Sequence, residues 1–142
     1  MPATVAVDES RALARRFIHE LWNNGNLNVA DTLFDQDVVN HDPATPEVGM
    51  GPEGIKKLVK LYRSAFPDLI FQAEEIMAER DLVAIRWSSI GTHRGEFAGV
   101  APSGKRAATT GITLLRIYRG VITEVFTNWD ALGLMKQIGA VH

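Results

Sequence analysis

A change in the spacing of the apolar residues, near the middle of the chain, constrains the fold more than any other feature of the sequence. In the first half, Leu13, Phe17 and Leu21 recur every four residues, as along one face of an α-helix. In the second half, the segment 82–93 alternates between two faces, as a β-strand does. Helices followed by antiparallel strands are typical of an α+β fold, in which the helices pack on one face of the sheet.

Glycine, proline and asparagine divide the first half of the chain into helices. Asp8 or Ser10 is predicted to cap the first helix, and the Asn-Asn-Gly segment 23–25 is predicted to end it. A short helix and a short strand at 38–39 come next. A loop that contains Pro46 then leads to a clearly amphipathic third helix.

The second half contains four predicted strands and a C-terminal helix. A long curved sheet wrapped over helices leaves space between the two layers, and such a space suits a small-molecule pocket. We therefore expect one domain that spans 1–142, with residues 1–8 flexible. The strands are predicted at 70–77, 82–93, 108–118 and 121–129, and the helix at 131–138.

The composition excludes several classes of protein. The 142 residues include no cysteine, so a disulfide framework, a thiolate nucleophile and a cysteine-ligated metal are excluded. Fifteen Lys and Arg residues against 17 Asp and Glu residues give a net charge of −2. Because nucleic-acid-binding proteins usually carry a basic excess, we expect no nucleic-acid partner.

Neither a membrane span nor a signal peptide is evident. No stretch approaches the roughly 20 apolar residues that a span needs. The first eight residues lack the basic and apolar regions of a secretory signal. Together with the absence of cysteine, these features predict a cytoplasmic protein without a membrane partner.

The histidines do not predict a metal site. They lie at His19, His41, His93 and His142, and no pair has a spacing typical of metal ligands. The glycine-rich segment 49–54 lacks the Lys-Ser/Thr pair of a phosphate-binding loop. We therefore expect no metal and no other cofactor.

Asp130 is the first candidate catalytic residue. Strict alternation from Ile122 puts Glu124, Phe126 and Asn128 on the same side of the last strand as Asp130. If that side faces the pocket, burial raises the pKa of the Asp130 carboxyl toward the range of a general base. The alternative is structural, because an aspartate directly before a helix is often its N-cap.

Two histidines are further candidates. His41 precedes Asp42, and a histidine beside a carboxylate is typical either of a proton carrier or of a strand end before a turn. His93 ends a long strand, where it either reaches the mouth of a pocket or is exposed at a turn.

Arg86 is a charged residue within an otherwise apolar strand. The usual explanation is a partly buried ion pair, here with Glu74 or Glu124 on a neighbouring strand. A contact with a substrate anion is the less favoured alternative.

Short motifs in a fixed order cover nearly the whole chain after residue 10. They are the segments 38–43 (VVNHDP), 51–54 (GPEG), 66–69 (FPDL), 81–86 (DLVAIR), 91–97 (GTHRGEF), 102–105 (PSGK), 120–124 (GVITE) and 129–139 (WDALGLMKQIG). The ordered set resembles the SnoaL-like polyketide cyclase (ester cyclase) family of the nuclear transport factor 2-like superfamily. Two positions depart from the family pattern, because Arg80 stands where glycine is frequent and Phe126 where tryptophan is frequent.

This resemblance implies a fold, a reaction and a set of site residues. The fold is a cone-shaped α+β barrel, in which helices packed on a strongly curved, mostly antiparallel sheet enclose an apolar pocket. Characterised members close a ring by an intramolecular aldol condensation, without a metal or cofactor. Their acid/base is an aspartate near the end of the final strand, and Asp130 matches it. His41 and His93 match recurrent family positions.

We therefore expect a cofactor-independent cyclase-type enzyme that acts on a small hydrophobic carbonyl compound. One alternative is a binding module without turnover, and another is a hydrolase in which Asp130 activates a water, with Glu124 as second carboxylate. The expected ligand-binding residues converge from both halves of the chain: Trp22, Phe34, Tyr62, Phe66, Phe97, Phe126, Asn128 and Trp129.

The strands carry more apolar residues than one layer of helices readily covers. This excess predicts a homodimer or homotetramer formed through an exposed face of the sheet. The residues that carry this prediction are Val83, Ile85, Trp87, Leu115 and Ile117.

Overall fold

A computed structural model describes residues 3–44 and 49–141 of the chain. The helices are α1 (Ala3–Arg16), α2 (Ala30–Leu33), α3 (Gly51–Ala65) and α4 (Ala131–Gln137), with a π-helical segment at Phe17–Asn23 and a 3-10 turn at Leu27–Val29. The strands are β1 (Phe34–His41), β2 (Ile70–Glu79), β3 (Leu82–Thr92), β4 (Arg106–Tyr118) and β5 (Val121–Trp129). The α+β class is confirmed. Pro46 of the predicted loop lies outside the described residues.

The first helix begins earlier than its predicted caps. α1 starts at Ala3, and Ser10 is a buried residue within it, so the capping prediction is wrong. The chain between Ala3 and Asp8 contains no glycine or proline, so each residue adds one hydrogen bond to the growing helix. Residues 1 and 2 lie outside the described residues, and the flexibility of 1–8 stays a prediction.

α1 continues directly into the π-helical segment, in which hydrogen bonds join residues five apart. The backbone N–H of Asn24 donates to the carbonyl of His19 at 3.0 Å. The segment ends at Asn23, as predicted, and Gly25 adopts a φ of 66°, which glycine tolerates without steric cost. Its buried side chains face the sheet, and they include Phe17, Ile18 and Leu21.

The five strands form one open, curved sheet in the order β1-β5-β4-β3-β2. β1 runs parallel to β5, and the other neighbours are antiparallel. Strands β1 and β2 are the free edges, so the sheet does not close on itself. β1 spans eight residues rather than the predicted two, because it pairs with the middle of the chain's last strand.

The helices cover one face of this sheet. The apolar strand residues on which we based the oligomer prediction are at most 8% exposed and pack against α1 and the π-helical segment: Val83, Ile85, Trp87, Leu115 and Ile117. The argument for an exposed apolar face from these residues is therefore wrong. They point to the inside of the monomer, and the oligomeric state stays a prediction.

A β-bulge in β5 changes which side chains face the helices. Ile122 pairs with Ile117, whereas Glu124 pairs with Arg116, so Thr123 is an extra residue in the ladder. Both Ile122 and Val125 are buried as a result, although they are three residues apart. After the bulge, the odd-numbered residues of β5 face inward, which reverses the alternation predicted from Ile122.

Candidate functional site

A cavity of about 90 Å³, partly open to solvent, lies between the helices and the inner face of the sheet. An apolar cavity of roughly 150 Å³ holds benzene, so the enclosed space suits no more than a ring-sized group, and a larger ligand extends through the opening. The aromatic residues that line it are Phe17, Trp22, Tyr62, Phe66, Phe71, Trp87 and Trp129. The polar ones include Asn40, Asp42, Ser89, Thr109, Thr113 and Thr127.

Four of the eight expected ligand-binding residues line this cavity. They are Trp22 on the π-helical segment, Tyr62 and Phe66 at the end of α3, and Trp129 at the end of β5. The ring of Tyr62 contacts the rings of both Trp22 and Trp129, and its centroid lies 6.0 Å from each of theirs. Aromatic side chains from distant parts of the sequence therefore converge, as expected.

Two of the remaining rings are buried behind the wall. Phe34 packs edge-on against Phe17, with centroids 6.1 Å apart. Phe97 contacts Tyr62 and Phe66 at 5.4 Å and 5.6 Å from the opposite side. Both support residues of the cavity wall without lining it.

Phe126 and Asn128 lie on the outer face of the sheet. The bulge at Thr123 reverses the alternation, so Thr127 and Trp129 point to the cavity instead. Asn128 is exposed, and Phe126 stacks against His41 outside the cavity with centroids 4.5 Å apart. The predicted inward face of β5 was therefore wrong for these two residues.

Asp42 is a cavity residue that sequence reasoning noted only as the neighbour of His41. It follows β1, and its Oδ2 accepts a hydrogen bond from the indole Nε1 of Trp129 at 3.1 Å. Its Oδ1 accepts a bond from the backbone N–H of Ala44 at 2.9 Å. Among the described residues that line the cavity, Asp42 is the one with a carboxyl group. The signal available in the sequence was the alternation of β1, which puts Asn40 and Asp42 on one side.

Asp130 occupies the N-cap position of α4. Its side chain accepts a hydrogen bond from the backbone N–H of Gly133 at 2.9 Å. The residue is exposed and is not among those that line the cavity. This geometry favours the structural alternative, and a catalytic role for Asp130 stays a prediction.

His41 belongs to a polar network on the outer face. Its Nε2 lies 3.1 Å from a carboxylate oxygen of Glu124, whose other oxygen accepts a hydrogen bond from Arg116 at 3.0 Å. Arg116 also donates to Asp81 at 2.9 Å, and the hydrogen bond with Asp81, ahead of that with Glu124, raises the pKa of the Arg116 guanidinium. His41 and the cavity are thus on opposite sides of the sheet.

Arg86 pairs with neither of the expected carboxylates. It donates to Glu75 on β2 at 2.7 Å, and both side chains are more than half exposed. A second bulge in β2, between Ala73 and Glu75, shifts the register and brings Glu75 rather than Glu74 opposite Arg86. The prediction of a partly buried pair is wrong, since this ion pair lies on the solvent side.

His93 is fully buried, at neither the cavity mouth nor an exposed turn. Its Nδ1 accepts a hydrogen bond from the backbone N–H of Ser103 at 3.1 Å, which ties the two ends of the β3–β4 connection together. This bond leaves the ring proton on Nε2, which has no hydrogen-bond partner among the described residues. The ring packs beside Phe66, so its contact with the cavity is indirect.

Asp68 fixes the end of β3 next to His93. Its carboxylate accepts two hydrogen bonds from Thr92, one from the backbone N–H at 2.7 Å and one from the hydroxyl at 2.8 Å. The backbone bond and then the side-chain bond lower the pKa of the Asp68 carboxyl below its ordinary value.

A row of hydroxyl groups in the cavity was missed by sequence reasoning. The indole Nε1 of Trp87 donates to Thr113 Oγ1 at 2.9 Å, and Thr113 Oγ1 lies 3.0 Å from Thr127 Oγ1. Thr113 is 3% exposed. The available signal was the alternation of the strands, which puts Thr113 on the inner face of β4. Thr127 could not be assigned in the same way, because the bulge at Thr123 reverses the alternation of β5.

The described part of the chain presents neither a cluster of metal ligands nor a membrane-spanning helix. Within residues 3–44 and 49–141, no three His, Asp or Glu side chains come together as metal ligands, and His142 falls outside these ranges. None of the helices in the same ranges is long and apolar enough to cross a membrane.

Comparisons with known proteins agree with this fold. The model of the family described as "SnoaL-like polyketide cyclase" matches residues 12–138. Nogalonic acid methyl ester cyclase of Streptomyces nogalater is 30% identical over 122 residues, which are 83% of this chain and 89% of that protein.

Solved structures resemble the chain over almost its whole length. TsrD of Streptomyces laurentii superimposes with a TM-score of 0.85 at 25% identity, over 94% of this chain and 97% of that one. A candidate polyketide cyclase of Acidithiobacillus ferrooxidans gives a TM-score of 0.82 at 28% identity, over 92% and 94% of the two chains. The chain belongs to the SnoaL-like polyketide cyclase family.

Proposed function

We propose that this protein is a cofactor-independent, cyclase-type enzyme in which Asp42 is the general base. The observation that carries the proposal is the position of the Asp42 carboxylate in the wall of an otherwise mainly apolar cavity, held there by Trp129. The ester cyclase of Streptomyces nogalater, which is 30% identical, supports the reaction class. The substrate class is a small hydrophobic carbonyl compound, because the cavity offers aromatic walls and few polar groups.

The reaction uses one base and no co-reactant. The Asp42 carboxylate takes a proton from the carbon next to a carbonyl group, and the C–H electron pair forms an enolate. The enolate carbon attacks a second carbonyl carbon of the same molecule, which forms the C–C bond of the ring and an alkoxide. The Asp42 carboxylic acid then returns its proton to that alkoxide.

The cavity supplies the remaining requirement, which is position. Because the nucleophile and the electrophile belong to one molecule, holding them in the reactive arrangement removes much of the barrier. Hydrogen bonds that Asp42 accepts from Trp129 and Ala44 fix the orientation of its carboxylate. The tilted and edge-on rings of Trp22, Tyr62 and Trp129 form a rigid wall against which a planar substrate packs.

Hydrolysis is less well supported than cyclisation. A hydrolase would favour a second carboxylate in the pocket, and Glu124 was the candidate. Glu124 lies on the outer face of the sheet, bonded to Arg116 and His41. A binding module without turnover is the remaining alternative, and the following experiment distinguishes it.

The test is the exchange of α-protons for deuterium in acetophenone, a one-ring ketone, followed by NMR in D₂O. The protein is expected to accelerate the exchange. Asp42→Asn keeps the volume of the side chain but removes the base, so the acceleration should fall by roughly 10²–10⁴-fold. Asp130→Asn is the matched control, since it alters a carboxylate outside the cavity.

Three results would count against the proposal. Binding of acetophenone without accelerated exchange would identify a binding module. Full exchange in Asp42→Asn would remove Asp42 as the base. Loss of exchange in Asp130→Asn alone, with the fold intact, would return that role to Asp130.

A further inference from the structure

We propose that Thr127 is the group that recognises the carbonyl oxygen of the ligand, and that Trp87 and Thr113 orient its hydroxyl proton toward the cavity. The three side chains form a row in which Trp87 Nε1 donates to Thr113 Oγ1 at 2.9 Å and Thr113 Oγ1 lies 3.0 Å from Thr127 Oγ1. All three residues line the cavity. The stabilisation of an enolate by Thr127 rests on the proposed function, whereas its binding of a ketone or ester carbonyl does not.

The direction of the hydrogen bonds follows from Thr113. Indole N–H groups only donate, so Thr113 Oγ1 is the acceptor of the Trp87 bond. If Thr127 also donated to Thr113, the hydroxyl proton of Thr113 would be buried without a partner among the described residues, which costs free energy. Thr113 therefore donates to Thr127. This direction makes Thr127 an acceptor toward Thr113 and leaves its own proton for the cavity.

The base and this donor face the same space. β1 and β5 are parallel, and their register pairs His41 with Phe126. The residue after His41 is Asp42, and the residue after Phe126 is Thr127. Neighbouring strands lie about 4.8 Å apart, so these two residues are close neighbours. Trp129, two residues after Thr127, holds Asp42. A ketone bound with its oxygen on Thr127 thus presents its α-carbon toward Asp42.

The surroundings strengthen the bond from Thr127. Hydrogen bonds in a row polarise one another, and a low local dielectric increases the attraction to a developing negative charge. Trp87 and Thr113 are buried, at 6% and 3% exposed, and the ring of Trp129 lines the same cavity. A fixed donor aimed at the oxygen that becomes negative is the arrangement that stabilises an enolate.

The chemistry of the row selects the class of ligand. An O–H donor among aromatic walls favours a ring-sized group that carries a carbonyl oxygen over a hydrocarbon of the same shape. Acetophenone and α-methylstyrene differ only in an oxygen replaced by a CH₂ group, so their affinities isolate this bond. The net value of one hydrogen bond predicts a preference of about 2- to 10-fold for the ketone.

The test combines affinities from NMR titration with isotope-edited infrared spectra of the bound ketone. A hydrogen bond to the oxygen moves the carbonyl stretching band to lower wavenumber. Thr127→Val should abolish both this shift and the preference, and Thr127→Ser should retain them. Thr110→Val is the matched control, because it removes a hydroxyl of the neighbouring strand β4 from an exposed position outside the cavity and should change neither readout.

Unchanged affinity for α-methylstyrene shows that the cavity of a variant is intact. If Thr127→Val fails to fold, Trp87→Phe gives a second reading, because loss of the first donor should weaken the infrared shift while the Thr127 hydroxyl remains. An unaltered carbonyl band in Thr127→Val, or no binding of either probe to the wild-type protein, would overturn the assignment. Asp42→Asn should keep the infrared shift, so failure of the base and failure of the donor are separate results.

Discussion

Replacement of Asp130 tests whether this residue is structural or catalytic. In the structure, Asp130 Oδ1 accepts a hydrogen bond from the backbone N–H of Gly133. Because α4 has only seven residues, this cap is a large part of what stabilises the helix. Asp130→Ala removes the acceptor, which costs about 0.5–2 kcal/mol. At roughly 2–4 °C for each kcal/mol in a domain near this size, the melting temperature should fall by about 1–8 °C. Asp130→Asn should change it little, because asparagine is an equally good cap.

Gly133 makes this prediction sharper. A Cβ at position 133 would lie 2.1 Å from Asp130 Oδ2, so Gly133→Ala displaces the capping side chain. Alanine also favours the helix over glycine by up to about 1 kcal/mol. In the native background the two effects should nearly cancel. In the Asp130→Ala background, where no cap remains to be lost, Gly133→Ala should stabilise the protein.

Urea unfolding followed by tryptophan fluorescence gives the four free energies of this double-mutant cycle. The coupling between the two positions should equal the value of the cap. Additive effects, or an Asp130→Ala variant as stable as the native protein, would refute the capping argument. Proton exchange of acetophenone in Asp130→Asn provides the second readout, since a cap has no reason to alter it.

Further predictions concern other parts of the fold. Gly111→Ala should destabilise the protein by roughly 1–3 kcal/mol in urea unfolding, because its Cβ would lie 2.5 Å from the Trp87 ring and 2.7 Å from Trp129 Cβ; native stability would mean that these rings move freely. Asp68→Asn should make the free energy of unfolding depend less on pH in the acid range, as measured by circular dichroism. The lowered pKa of the Asp68 carboxyl gives stability that is present above the ordinary value of 3.8 and is lost as the pH falls through the folded-state pKa. An acid transition identical to that of the native protein would exclude Asp68 from it. Addition of EDTA should leave the melting temperature unchanged, and a decrease reversed by zinc would reveal a metal site.

The fold was largely predictable because its signals are local. The apolar spacing of α3 and the alternation of β3 follow from the side-chain directions of a helix and a strand, and the bounds of β5 agree with the sequence prediction. The start of α1 was missed because Asp8 and Ser10 resemble N-caps, although the segment 3–9 contains no glycine or proline that would stop a helix before them.

The candidate site was predictable only in part, because its polar groups depend on pairing between strands. Trp22 and Trp129 could be named from the sequence as large rings that must be sheltered. The inward position of Thr127 depends on the bulge at Thr123, which exists only through the register of β5 against β4. For the same reason Phe126 was assigned to the wrong face.

The π-helical segment at Phe17–Asn23 sets the relative phase of two helical faces. Before it, Ser10 and Ala14 turn their buried side toward the sheet, and within it Trp22 turns toward the cavity. Each residue of an α-helix advances the rotation by about 100°. A π-helical turn holds more residues than an α-helical turn, so each residue of this segment advances the rotation by less. Conversion of the same residues to a regular α-helix would therefore turn Trp22 relative to α1 and change the cavity wall, although every strand would keep its own sequence.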